Sequence, residues 1–268
     1  MASKATAQPH PDFGTELVRD WAPASESRGT FVLVHGLAEH SGRYERTGDL
    51  LAQAGFRVRG FDLIGAGASG GRRWDIDDWS RYHDQIEGHV AFARDQGRPV
   101  VLMGHSMGGN LVLGYLIAQR LSPDLAVVSA PALGGGTWQR AVAPVLAKLA
   151  PTLPIPNGLK GEQLSRDPTV AEAYFSDPLV CNSATPRLGL QFFAAMDKVR
   201  NEAASIDVPT LVLHGGSDTI VPPQSTAVLG DIPGFERKLY PGLRHEILNE
   251  PEGPEFVGDI IAWVEVGL

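Results

Sequence analysis

Six short runs rich in apolar and β-branched residues punctuate the chain: 31-FVLVHG-36, 56-FRVRGFD-62, 100-VVLMGHS-106, 125-LAVVSAP-131, 210-TLVLHGG-216 and 237-RKLYP-241. Most lack polar alternation, so a strand made from them must be covered on both faces, as in a parallel sheet with crossover helices. Helical text fills the intervals. Residues 43–54 stop at Gly55, a C-cap signal, and residues 77–96 carry Trp79, Tyr82, Ile86, Val90 and Ala93 at three-to-four spacing. Residues 255–266 repeat that spacing at the end of the chain. The pattern predicts an α/β fold with a mostly parallel central sheet flanked by helices.

One region breaks the alternation. More than forty residues after about position 133 hold no strand signal, too many for a bare loop, so a helical insertion between two strands is expected at about 133–180. Residues 1–12, polar with two prolines, read as a loose lead-in, and residues 13–268 as one domain.

Charge narrows the function. The net charge is −8 and no basic run exceeds two residues, which argues against nucleic acid and against charge-driven recruitment to anionic membranes. The one cysteine, Cys181, excludes an intrachain disulfide and a multi-cysteine zinc site. No apolar run approaches the ~20 residues of a membrane span, and the N-terminus lacks a secretory apolar segment, so the expected location is cytoplasmic.

Two glycine motifs overlap in 65-GAGASGG-71. Gly65, Gly67 and Gly70 spell a dinucleotide fingerprint, but a charged loop follows instead of a helix, and no strand end carries an acid about 20 residues on. Gly67, Ser69 and Gly71 spell a serine-hydrolase elbow, but Ser69 lies well past its strand with no helix behind it. The second elbow match, 104-GHSMG-108, has both: residues 100–103 read as a strand and 107–120 as an apolar helix that begins at once. Ser106 is therefore the candidate nucleophile, with a tight structural turn as the alternative reading.

A serine needs a base, and the base needs an orienting acid. Asp218 follows the strand at 210–216, and His245 follows the one at 237–241, in the order Ser, Asp, His. Both arrive at the sheet edge to which Ser106 points. The other histidines do not follow the last strand, and 245-HEILNE-250 lacks the second histidine of a zinc motif, so no metal is expected. Two backbone N–H groups would hold the oxyanion: Met107 after the nucleophile, and Leu37 in 35-HGLAEH-40.

At this point the chain resembles the monoacylglycerol lipases, through HGLAEHSGRY (35–44), GHSMGG (104–109), LSRDP (164–168), DPLV (177–180), LHGGSD (213–218) and YPGLRHEILNE (240–250). The resemblance implies an α/β-hydrolase with a helical cap and a cofactor-free Ser-Asp-His mechanism acting on one acyl chain esterified to glycerol. It maps the triad onto Ser106, Asp218 and His245 and the oxyanion donors onto Leu37 and Met107. Glu39 and His105, inside the shared motifs, are taken as substrate-binding. The family usually writes the loop at 62–71 as D-H-x-G-H-G-x-S-x-G; here Leu63 and Ala66 replace both histidines. Residues 138–159, apolar with few charges, read either as an acyl-chain tunnel wall with a membrane-facing patch or as packing of the cap on the core. A lysophospholipase, a short-chain esterase, an acyltransferase and a non-catalytic binding protein are the rival readings.

Overall fold

The computed structural model describes residues 3–97 and 99–267, without the side chains of Thr137 and Trp138, so the tryptophan of the expected apolar wall lies outside the described residues. The first half runs through β1 (Lys4–His10), β2 (Gly14–Trp21), β3 (Thr30–Val34), α1 (Glu45–Gln53), β4 (Arg57–Phe61), α2 (Ser80–Asp95), β5 (Val100–His105), α3 (Met107–Ile117) and β6 (Leu125–Ser129). The chain then leaves the sheet for α4 (Thr137–Leu149), β7 (Ile155–Pro156), α5 (Pro168–Ser176), β8 (Ser183–Ala184) and α6 (Pro186–Glu202). It returns as β9 (Thr210–Gly215), β10 (Phe235–Tyr240) and the terminal helix α7 (Gly253–Gly267).

The eight-stranded sheet has the order β1-β2-β4-β3-β5-β6-β9-β10, and β7 pairs only with β8. From β4 to β10 every pairing is parallel, while β1–β2 and β2–β4 are antiparallel. Alternate side chains of one strand feed two separate cores. Val32 and Val34 join the core under α2, α3 and α6, whereas Phe31 and Leu33 join the core under α1 and α7. This two-sided burial is why the strands read as unbroken apolar runs. The α2 stripe of Trp79, Tyr82, Ile86, Val90 and Ala93 is buried in the first of these cores.

Two expectations need correction. Residues 4–10 are not a loose lead-in: they form the antiparallel edge strand β1, whose almost fully exposed side chains hide its strand character. The departure from the sheet also extends beyond residue 180. A Thr185 N-cap, which accepts from Leu188 N, and Pro186 at the first turn start α6, whose Leu188, Phe192, Met196 and Val199 make a buried stripe. This helix packs against both α3 and α4, so the chain does not rejoin the sheet until Thr210.

The loop 62–71 is tightly built. Gly65, at φ 76°, has no room for a side chain: a Cβ would run into the carbonyl oxygen of Arg72. Asp62 accepts hydrogen bonds from Ser41 and from Ala68 N–H, and the Ser69 hydroxyl donates to the Asp62 carbonyl. Leu63 and Ala66 lie fully inside the core. Apolar packing thus occupies both positions.

His83 on α2 is buried, its Nε2 has no partner among the described residues, and burial, reinforced by Arg120, pushes its pKa down to about 4. The unfolded chain therefore binds a proton that the native state resists as pH falls from about 6.5 to about 4. The stability is intact above that window and is lost through it, by on the order of 3 kcal/mol at full protonation. Melting temperature is expected to drop between pH 7 and 5, and His83→Leu should flatten that profile; an unchanged slope in the variant would overturn this account.

Candidate active site

At the end of β5 the chain must reverse into α3 within one residue. Ser106 sits there at φ 52°, ψ −116°, a conformation a serine reaches only at a cost in strain. Its neighbours make the turn possible: a Cβ at Gly104 would strike the Gly108 carbonyl, and a Cβ at Gly108 would strike those of Val34 and His35. Ser106 N–H donates to Ser129 O and its carbonyl accepts from Asn110 and Ala132 N–H, which fixes the turn to β6 and the start of α3. Among the described residues the Ser106 hydroxyl has no hydrogen-bond partner, and Ser106 lines a cavity of about 400 Å³ together with His245.

Asp218 and His245 meet beside it. His245 Nδ1 lies 2.7 Å from Asp218 Oδ2, so Nδ1 carries the hydrogen and Nε2 is left for proton transfer. The other carboxylate oxygen accepts from Ile220 N–H at 2.8 Å and Val221 N–H at 2.9 Å. Burial raises the Asp218 pKa, but the His245 charge, the hydrogen bonds of His214 and His245, and the Val221 amide outweigh it, so the acid stays ionised. Burial likewise pulls His245 down, yet the charge and hydrogen bond of Asp218, with Glu246 and Glu39, leave its pKa raised.

Leu37 lines the cavity and Met107 directly follows its lining residue Ser106, and neither backbone N–H has an acceptor among the described residues. The Leu37 loop is braced from within. Glu39 Oε1 accepts from Gly36 N–H at 2.6 Å and from the Tyr44 hydroxyl at 2.7 Å, and Oε2 accepts from Arg43 at 2.7 Å. Glu39, expected to bind substrate, lines the cavity with both its oxygens held by protein donors, and these bonds brace the loop that carries Leu37. Burial raises its pKa, but Arg43, followed by His105 and His35, holds it below the usual carboxylate range. His105 does face the cavity, its ring centroid 4.7 Å from that of His245, and burial together with His245 pushes its pKa down to about 4.

Sequence reasoning missed the residue at the centre of this network. Arg43 donates to Glu39 and, through two nitrogens, to both oxygens of Glu246, the neighbour of His245, while its guanidinium lies 4.7 Å above the ring of Tyr174 on α5. Its place in SGRY beside Glu39 was the available signal, but the partners 203 and 131 positions away were not readable. The other quoted motifs meet as staples too. Glu250 accepts from Ser165, Arg166 and Arg244, joining LSRDP to the histidine loop. Asp177 binds His40 at 2.8 Å, and Cys181 N–H donates to Ala38 O, joining the segment after α5 to the Leu37 loop.

A mostly parallel sheet with a strained strand-to-helix serine, an acid and a histidine at one edge defines an α/β-hydrolase-fold serine hydrolase. The Hydrolase_4 family, described as serine aminopeptidase, S33, matches residues 25–252, and the chain belongs to it. Among curated relatives, a monoacylglycerol lipase of Mycolicibacterium smegmatis is 36% identical over 262 residues, covering 94% of this chain and 93% of the relative. The crystal structure of Paleococcus ferrophilus monoacylglycerol lipase superposes with a TM-score of 0.85 at 33% identity, covering 94% of this chain and 98% of that one. A soluble variant of Saccharomyces cerevisiae monoglyceride lipase, solved with a substrate analog, gives a TM-score of 0.91 at 26% identity over 100% of this chain and 96% of its own.

Glu39→Gln keeps an acceptor for Gly36 N–H but removes the charge opposite Arg43, and is expected to cost on the order of 3 kcal/mol of stability. Glu39→Ala also frees the loop and should lower kcat about tenfold below the Gln variant. Equal kcat in the two folded variants would show that the Gly36 contact does not set the Leu37 amide.

Proposed function

We propose that the chain is a carboxylester hydrolase of the monoacylglycerol lipase type, with Ser106, His245 and Asp218 as its triad. Ser106 Oγ attacks the ester carbonyl carbon while His245 Nε2 takes the hydroxyl proton, and the oxyanion rests on the Leu37 and Met107 amides. The tetrahedral adduct collapses, the glycerol oxygen leaves with the proton from His245, and an acyl-serine remains. Water then attacks, His245 takes its proton and returns it to Ser106, and the fatty acid departs. Neutral His105 beside His245 is the substrate-facing wall residue in this reading.

The observation that carries the substrate class is the two-sided cavity at Ser106. One side is apolar, built by Val142 and Leu146 of α4 and by Leu188, Phe192 and Met196 of α6. The other holds Arg43, Glu39 and Glu246, with the Tyr174 ring under the Arg43 guanidinium, and offers polar groups to a glycerol head. An ester with one chain and one polyol head fits such a cavity. An aminopeptidase reading is weaker, because recognising a free amine needs an uncompensated carboxylate, and the two acidic side chains lining the described cavity are both paired with Arg43.

In this reading the segment from α4 to α6 is the cap, and its outer face rests transiently on lipid. Val145, Leu149 and Leu153 are more than half exposed around the turn from α4 onward, next to residues that line the cavity. No helix among the described residues is long and apolar enough to cross a membrane. A cytoplasmic enzyme working at lipid surfaces is the proposed setting.

Ser106→Ala should lower turnover by more than about a thousandfold. In the wild-type chain, kcat/KM should rise from short to long monoacylglycerols. Activity confined to short soluble esters would overturn the lipase reading and leave the fold intact. Leu149→Ser with Leu153→Ser should raise the apparent KM on emulsified monoacylglycerol several-fold and leave p-nitrophenyl butyrate hydrolysis unchanged; equal effects on both substrates would remove the lipid-contact role.

A further inference from the structure

Asp218 is contacted by a second imidazole that the triad mechanism does not use. His214, at the end of β9, is fully buried; its Nε2 lies 3.1 Å from Asp218 Oδ2 and 3.0 Å from the Val221 carbonyl. Both neighbours are acceptors, so Nε2 carries a hydrogen and donates. The far nitrogen, Nδ1, lies 2.8 Å from the Thr226 hydroxyl, in the 3-10 turn Pro223–Asp231, and Thr226 in turn accepts from Arg237 Nε at 3.3 Å. The ring is therefore held from both nitrogens.

We propose that His214 is a positioning residue, one that fixes the Asp218 carboxylate and shares its Oδ2 with His245, so that the strength of the Asp218–His245 bond is set by a competing donor. The inference rests on the triad reading given above. Geometry supports it from two sides. Asp218 Oδ1 is locked by the Ile220 and Val221 amides, so rotation of the carboxylate is resisted there, and among the described residues His214 is the one partner of Oδ2 besides His245. The same N–H also reaches the Val221 carbonyl, so one donor ties the carboxylate to the loop whose amides hold its other oxygen. The hydrogen bond of His214 is among the causes that keep Asp218 ionised, after burial, which opposes, and the charge of His245.

Without that donor, Asp218 gives its whole charge to His245 and holds it less firmly. The imidazolium gains stability, and the ring loses a defined orientation. The groups that face His245 are otherwise constant: Glu246 and Glu39, both paired with Arg43, and the ring of His105. Arg237, through Thr226, is the charge on the His214 side.

The test compares His214→Leu, which keeps bulk but no donor, with His214→Gln, whose amide N–H can reach Asp218. In the Leu variant kcat should fall ten- to a hundredfold with KM within about twofold, and the acid limb of the kcat/KM profile should move to higher pH by about half a unit. The Gln variant should stay within about threefold of wild type with an unmoved limb. Should His214→Leu fail to fold, as judged by circular dichroism and melting, His214→Met takes its place. A folded apolar variant with unchanged kcat and limb overturns the proposal, and so do equal losses in the apolar and Gln variants, which would make His214 a packing residue. Asp218→Asn, measured alongside, separates the two levels: full activity there would end the triad reading, whereas a large loss there with a silent His214→Leu ends only this inference.

Discussion

One buried guanidinium holds the working parts in register. Arg43 comes from the turn after β3, yet its nitrogens reach Glu39 in the Leu37 loop and Glu246 in the histidine loop, and its face lies over Tyr174 on α5. Three segments far apart in sequence share a single cation. A lysine could satisfy one carboxylate, but the bidentate grip on Glu246 needs the planar fork of arginine. Breaking such a buried set leaves an uncompensated charge, which typically costs 3–5 kcal/mol, so the arrangement is far more specific than an exposed pair would be. The two anions that would otherwise repel each other beside His245 are made cooperative by the cation between them.

Strain is located where that network leaves room for it. Ser106 occupies an unfavourable backbone region, and the surrounding β5, β6 and α3 hydrogen bonds over-determine the turn. Among the described residues the Leu37 and Met107 amides have no acceptor: Glu39 holds the neighbouring Gly36 N–H, and the helix that Met107 begins has no earlier turn to accept its own. Free donors at the end of a rigid strand and at a helix start are available to a developing negative charge without reorganisation.

How much of this was legible depends on the range of the signal. Strands buried on both faces announce themselves as apolar runs, and Ser106 was selected over Ser69 because a strand precedes it and a helix follows at once. Asp218 and His245 followed from their places after the last strands. β1 escaped because an exposed edge strand with Pro9 in it carries no apolar pattern, and its strand partner β2 buries only part of its length. α6 had a Thr-Pro start and a stripe at 188, 192, 196 and 199, but the long unpatterned insertion ahead of it masked the boundary. Arg43 and His214 were invisible for a different reason. Their meaning lies in partners brought together by the fold, and in sequence they are an ordinary surface-type arginine and one histidine in an apolar run.

The loop 65-GAGASGG-71 ties these observations together through His35. Its Nε2 accepts from Leu63 N–H at 3.0 Å, and its Nδ1 lies 2.8 Å from the Gly36 carbonyl. An amide donor on one side and a carbonyl on the other place the hydrogen on Nδ1 and leave the ring neutral, in line with the downward push of burial on its pKa. Through His35, the backbone just ahead of the glycine loop is tied to the same Gly36 whose N–H is held by Glu39. Leu63 and Ala66 are buried in apolar packing, and the contact with the segment before Leu37 is made by main chain. Its glycines match two motifs and act in neither: Gly65 and Gly67 fit the tight turn against Arg72 and Asp62, while the parallel register of β3 and β4 brings Leu63 N–H to His35 ahead of them.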